Sequence, residues 1–125
     1  MNFTVENRNG FAIIKTNRNS IESKISTELK SKVSVVAQPA IEALLIDLSS
    51  VNIIDSTGLG ALLLAHRQLK EHSKPVVLVG IQGSTKKLLK MTQVENIFVY
   101  HQTIDEALTN ITNKNLFERE MNMNE

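Results

Sequence analysis

The chain has 125 residues, no cysteine, and 14 Lys and Arg against 13 Asp and Glu, for a net charge of +1. That length suits one domain with a core of its own, and the lack of thiols excludes disulfides and thiolate metal sites. So balanced a charge offers no field to draw nucleic acid or an anionic membrane, and the longest apolar run, Ala61 to Ala65, is far too short to span a bilayer.

The opening Met1-Asn2-Phe3-Thr4-Val5-Glu6 lacks the basic and apolar segments of a signal peptide, so a cytoplasmic protein is expected. Phe3–Asn7 and Phe11–Lys15 flank Arg8-Asn9-Gly10, and Asn-Gly supplies the positive φ angles of a tight turn. An antiparallel hairpin is predicted there. Ile21, Ile25, Leu29, Val33 and Val36 then recur at helical spacing, with Ser20 as the expected N-cap and Gln38-Pro39 as the stop.

Ala43–Leu48 is almost wholly apolar, as a strand covered on both faces would be. The pair Ile53-Ile54 leads into Asp55-Ser56-Thr57-Gly58-Leu59-Gly60, after which Leu59, Leu62, Leu63 and Leu69 mark an amphipathic helix. Pro75–Gly80 predicts another buried strand, and Ser84 an N-cap for a short helix carrying Leu88, Leu89 and Met91. Ile97–Tyr100 reads as a last strand at an edge, and Thr103 opens a helix with Ile104, Ala107, Leu108 and Ile111 on one side. From about Asn113 the chain turns polar and is expected to fray.

Alternation of strands and helices after the hairpin requires crossover connections. The expected fold is an α/β sandwich with a mixed, mainly parallel central sheet and about four helices. Residues 1–112 are expected to form the domain and 113–125 a polar tail.

The informative stretch runs from Asp55 to Gly60. A helix start leaves backbone N–H groups without partners and carries partial positive charge, so a phosphoryl group on a hydroxyl there is electrostatically acceptable. Gly58 leaves room beside Ser56 for a tight turn and for another protein's backbone, and Gly60 for close packing on the sheet. On spacing alone, the same Asp, Ser and Thr favour simple helix capping over a functional loop. No enzyme loop competes: Gly-x-Ser-x-Gly and the phosphate-binding Gly-rich loop are absent, and Asp47 and Asp55 lack the acidic pair of a receiver-type site.

Asp55–Gly60, preceded by a buried strand and followed by Ala61-Leu62-Leu63-Leu64-Ala65, resembles the signature of the STAS domain, a family that includes the bacterial anti-sigma factor antagonists. The likeness extends through Pro75–Gly80 and Lys87–Val94, and with the hairpin it covers about residues 3 to 112. It implies that Ser56 is phosphorylated by a partner that is both anti-sigma factor and HATPase-type serine kinase, with a serine phosphatase as a further candidate partner. The unphosphorylated form would bind the anti-sigma factor and free the sigma factor, and phosphorylation would switch that binding off. On this likeness Asp55 helps orient the hydroxyl and the partner, and residues 55–60 (Asp55, Ser56, Thr57, Gly58, Leu59, Gly60) form the partner-binding loop. The kinase brings ATP and Mg²⁺, so the chain is a protein substrate, not an enzyme, with no cofactor or metal of its own.

Two stretches depart from the family pattern. Where many antagonists carry Gly-Glu-Leu/Ile-Asp near the partner surface, this chain has Asn19-Ser20-Ile21-Glu22, so Ser20 and Glu22 become the candidate partner contacts. The frequent Gly-Gly before the next strand is replaced by Glu71-His72-Ser73-Lys74. The competing expectation is a STAS regulatory subunit of a larger complex, such as a lipid-transport ATPase, whose Ser56 loop docks unphosphorylated.

Lys86, Lys87 and Lys90, with Arg67, Lys70 and Lys74, read as solvated helix surface, because few aromatics accompany them. His66, His72 and His101 lack ligand partners at metal-binding spacing, and Met121 and Met123 need no role.

Overall fold

Asn9 and Gly10 both take positive φ, 52° and 91°, and fold β1 (Phe3–Arg8) back on β2 (Phe11–Thr16) as an antiparallel pair. The Gly10 N–H also bonds the Asn7 side chain at 3.1 Å, closing the expected turn. The computed structural model describes residues 2–123.

Ser20–Ile21 form a two-residue strand, β3, and do not begin the first helix; α1 covers Ser23–Val36, with Glu22 at its N-cap position. Ser20 is therefore not the cap. Its backbone pairs in parallel with β5 (Ile53–Ile54), an attraction between residues over thirty positions apart that outweighs the helical spacing of Ile21. Between them β4 (Ala43–Asp47) is the expected buried strand. The chain continues through α2 (Ser56–Lys70), β6 (Val76–Val79), α3 (Gly83–Met91), a 3₁₀ turn at Glu95–Ile97, β7 (Val99–His101) and α4 (Ile104–Met123).

The main sheet runs β1-β2-β4-β6-β7, parallel from β2 onward, with β7 at an edge as expected. Strand residues alternate between its faces. Phe3, Ile14, Leu44, Ile46 and Leu78 join Leu29, Leu62 and Leu89 of α1, α2 and α3 in the larger core. Ile13, Leu45, Val77 and Val79 face the other way, onto Ile104, Ala107 and Leu108 of α4.

Three local expectations are corrected. Gln82 stands at the N-cap position of α3, while Ser84 lies in the first turn and its hydroxyl donates to the Asn52 carbonyl. The last strand is shorter than expected, because Glu95–Ile97 coil into the 3₁₀ turn. Thr103 does cap α4, accepting from the Glu106 N–H at 3.1 Å. That helix, however, continues through Met123, where fraying from Asn113 was expected: Lys114, Leu116, Glu118, Arg119 and Glu120 favour helix, and no Gly or Pro interrupts them. Among the described residues, no helix is long and apolar enough to cross a membrane.

Candidate functional site

The small β3–β5 sheet sits at the start of α2 and builds a platform for the loop. Ile54 ends β5, and the Asp55 N–H bonds the Ile21 carbonyl at 3.3 Å, so the chain is pinned where it turns into the helix. Asp55 holds the N-cap position with extended backbone, and its Oδ1 accepts from the Gly58 N–H at 3.0 Å. The same oxygen accepts the Thr57 hydroxyl proton at 2.5 Å.

These contacts hold the Asp55 carboxyl below its ordinary pKa. The Thr57 hydroxyl contributes most and the Gly58 N–H next, with the Thr57 and Ser23 N–H groups adding to them. The helix start thus already has its anion. Of the N–H groups at this helix start, that of Gly58 is already given to the Asp55 carboxylate.

Thr57 makes a second contact, 2.8 Å to the hydroxyl of Ser26. Its single proton goes to the carboxylate, which can only accept, so Ser26 donates to Thr57. Ser26 is buried in α1, at 1% exposure. A chain of polar groups therefore runs from the inside of α1 through Thr57 to Asp55 and the first turn of α2.

Ser56 stands apart from this network. It is the first residue of α2 and is exposed, and its hydroxyl makes no hydrogen bond among the described residues. Asp55 was expected to orient that hydroxyl. Its recorded bonds go instead to Thr57 and Gly58, so it fixes the loop and leaves Ser56 free.

The glycines divide in the same way. A Cβ on Gly58 would lie 2.6 Å from Ile54 Cγ1 and 2.9 Å from the Ile21 carbonyl oxygen. Its close approach is thus to the chain's own β3–β5 platform and not to another protein's backbone. A Cβ on Gly60 would meet only the end of the Lys30 side chain, at 3.5 Å, so Gly60 faces α1 and not the sheet. Leu59 is buried in the core.

Ser20 and Glu22 are brought beside the loop. Ser20 pairs with Ile53, and Glu22 follows the residue whose carbonyl holds Asp55. Glu22 is exposed and makes no side-chain capping bond. Sequence reasoning missed Ser26 and Ile53. Ser26 lies three and seven residues before Leu29 and Val33, a spacing that places it on the buried face of α1. Ile53 is 56% exposed beside the loop, because two adjacent strand residues cannot both point inward.

The other candidates lie elsewhere. His66 packs edge-on against Phe98, at 6.2 Å between ring centres, and His101 contacts Glu106 and Asn110. His72 is exposed.

Comparison with known proteins matches residues 2–107 to the STAS domain. An anti-sigma factor antagonist from Mycobacterium paratuberculosis is 24% identical, with a TM-score of 0.76 over 88% of this chain and 92% of that one. A STAS domain protein from Planctomyces limnophilus is 18% identical, with a TM-score of 0.80 over 87% and 96%. The Bacillus cell fate determinant SpoIIAA in its phosphorylated form is 17% identical, with a TM-score of 0.70 over 87% and 98%. At these identities the likeness is one of fold.

Proposed function

The chain belongs to the STAS domain family, and on that premise we propose that it acts in the cytoplasm as an anti-sigma factor antagonist switched by phosphorylation of Ser56. The observation that carries this reading is the contrast within the loop. Asp55 and Thr57 are bonded to each other and to the helix start, while Ser56 presents an exposed, unbonded hydroxyl. A Bacillus protein of the same fold exists in a phosphorylated form, which supports the analogy.

In the unphosphorylated state, Ser56, exposed Ile53, Ser20 and Glu22 together form a surface of mixed apolar and polar character. An anti-sigma factor of the HATPase serine kinase type docks there, places Ser56 near its own ATP and Mg²⁺, and releases its sigma factor. Transfer to Ser56 adds about −1.5 to −2 charges at pH 7. The new charge meets Asp55, whose carboxylate is ionised and already holds the local N–H donors. Repulsion and desolvation of two adjacent anions oppose the complex without any change of fold. A phosphatase would restore binding.

The test is phosphorylation of the purified chain by such a kinase from the same genome, with phosphopeptide mapping. Phosphate on Ser56 and none on Ser56→Ala is the expected result. Transfer to another residue, or none at all, would sink the switch. Co-purification with a transport ATPase, unaffected by Ser56→Ala, would favour the regulatory-subunit reading.

A further inference from the structure

A groove formed by none of the loop residues runs between α3 and the end of the main sheet. We propose that it binds a small amphiphilic anion, one acidic head on an apolar body the size of a ring or short alkyl chain. Its floor is made by Ile81, Leu89 and Tyr100, its rim by Lys86, Lys87 and Lys90, and its volume is about 540 Å³. That size lies within the ordinary range of small-molecule sites, roughly 300–1,000 Å³.

The floor is fixed from beneath. Leu89 belongs to the main core and Ile81 packs against it. Tyr100 is 37% exposed, and its hydroxyl donates to the Glu95 carbonyl at 2.5 Å, which holds the ring in place. Burial first, and the Glu95 charge next, push the phenol pKa up, so the ring stays neutral beside the lysines.

The rim is charged and its lysines are not tied up in salt bridges. Among the described residues none of the three lysines forms an ion pair, whereas Lys15 pairs with Glu6 and Lys74 with Glu42. Lys86 and Lys90 lie one helical turn apart on α3, where like charges repel. An anion between them removes that repulsion, and the aliphatic stems of the lysines extend the apolar wall. Glu95, the acidic residue lining the groove, acts through its charge on the Tyr100 phenol, whose proton its main-chain carbonyl accepts. It therefore orients the ligand, head toward α3 and apolar body over Tyr100.

The dimensions favour a small molecule over a macromolecule. A docked peptide needs a longer apolar strip than three side chains, and single-stranded nucleic acid needs successive aromatic platforms where this groove has one. Lys86, Lys87 and Lys90 are exposed, as expected of a solvated helix face, and the apolar floor beside them comes partly from outside α3, from Ile81 in the loop before it and Tyr100 on β7.

The experiment is a titration of the isotope-labelled full chain with anilinonaphthalene sulfonate, followed by NMR, with octanoate as competitor. One-site saturation with shifts at Ile81, Leu89 and Tyr100 is expected, together with displacement by octanoate. The triple variant Lys86→Gln, Lys87→Gln, Lys90→Gln should bind about tenfold more weakly, three exposed charge contacts acting together, with its melting temperature unchanged. Equal affinity in that variant, or shifts scattered over the chain, would overturn the proposal. So would displacement by a glutamate-rich peptide where octanoate fails, which would assign the groove to a protein partner.

Discussion

The hydroxyl of Ser26, buried in α1, lies 2.8 Å from the hydroxyl of Thr57 in the first turn of α2. The bond ties the interior of one helix to the loop that opens another. Thr57→Val would leave the Ser26 hydroxyl buried and unpaired, at a cost of about 1–3 kcal/mol. Ser26→Ala spares the Thr57–Asp55 bond and should cost about 1 kcal/mol. Urea unfolding of both single variants and the double variant should show a coupling of at least ~0.5 kcal/mol. Strictly additive costs would mean that the bond contributes nothing.

Gly58 and Gly60 should respond oppositely to alanine. At Gly58 the new Cβ meets the Ile21 backbone oxygen at 2.9 Å, which cannot rotate aside. Overpacking of this kind costs about 1–3 kcal/mol and should displace the loop, so partner binding falls as well. At Gly60 the neighbour is the mobile end of Lys30 at 3.5 Å, and helix propensity favours alanine by roughly 1 kcal/mol. Thermal melts of the two variants check the order. A Gly58→Ala protein as stable as Gly60→Ala would contradict the packing described.

Acid should weaken the loop through Asp55. Its folded pKa is lowered from 3.8, chiefly by the Thr57 hydroxyl and then the Gly58 N–H. The carboxylate's contribution to stability is therefore fully present above the unfolded value and is lost as pH falls through the folded one. Asp55→Asn, which cannot titrate, should flatten the stability profile below about pH 4. Parallel profiles for the two proteins would show that the cap is not what titrates.

His66 should add a second pH dependence at higher pH. Burial, and then the charge of Lys70, lower its pKa from 6.5, so the fold prefers the neutral ring. Its stabilising effect is complete above the unfolded value and fades as pH falls through the lower folded one. Comparing chemical unfolding at about pH 8 and about pH 5.5, the unmodified chain should lose more stability than His66→Gln. An identical loss in both would remove His66 from the account.

Much of this was legible in the sequence where the signal is local. Asn9-Gly10 marks the hairpin, the apolar run Ala43–Leu48 marks a strand covered on both faces, and Asp55 marks the start of α2. Non-local pairing was not legible. Ser20-Ile21 is too short for periodicity to show, and its partner Ile53-Ile54 lies far along the chain. Ser26 and Thr57 are 31 residues apart, and only the side-by-side packing of α1 and α2 brings them together. For the same reason the sequence placed Asp55 correctly yet left its task ambiguous. Its carboxylate serves Thr57 and Gly58, and that division of labour leaves Ser56 free.

The central claim is that charge on Ser56 controls docking of an anti-sigma factor kinase. Its most direct test is a calorimetric titration of that partner, from the same genome, with two forms of the chain. One form is unmodified, and the other carries phosphoserine at position 56 by genetic encoding. The account predicts measurable binding of the unmodified chain and binding weaker by roughly a hundredfold for the phosphorylated one, as expected when like charges meet in an interface. Equal affinities for the two forms would contradict it.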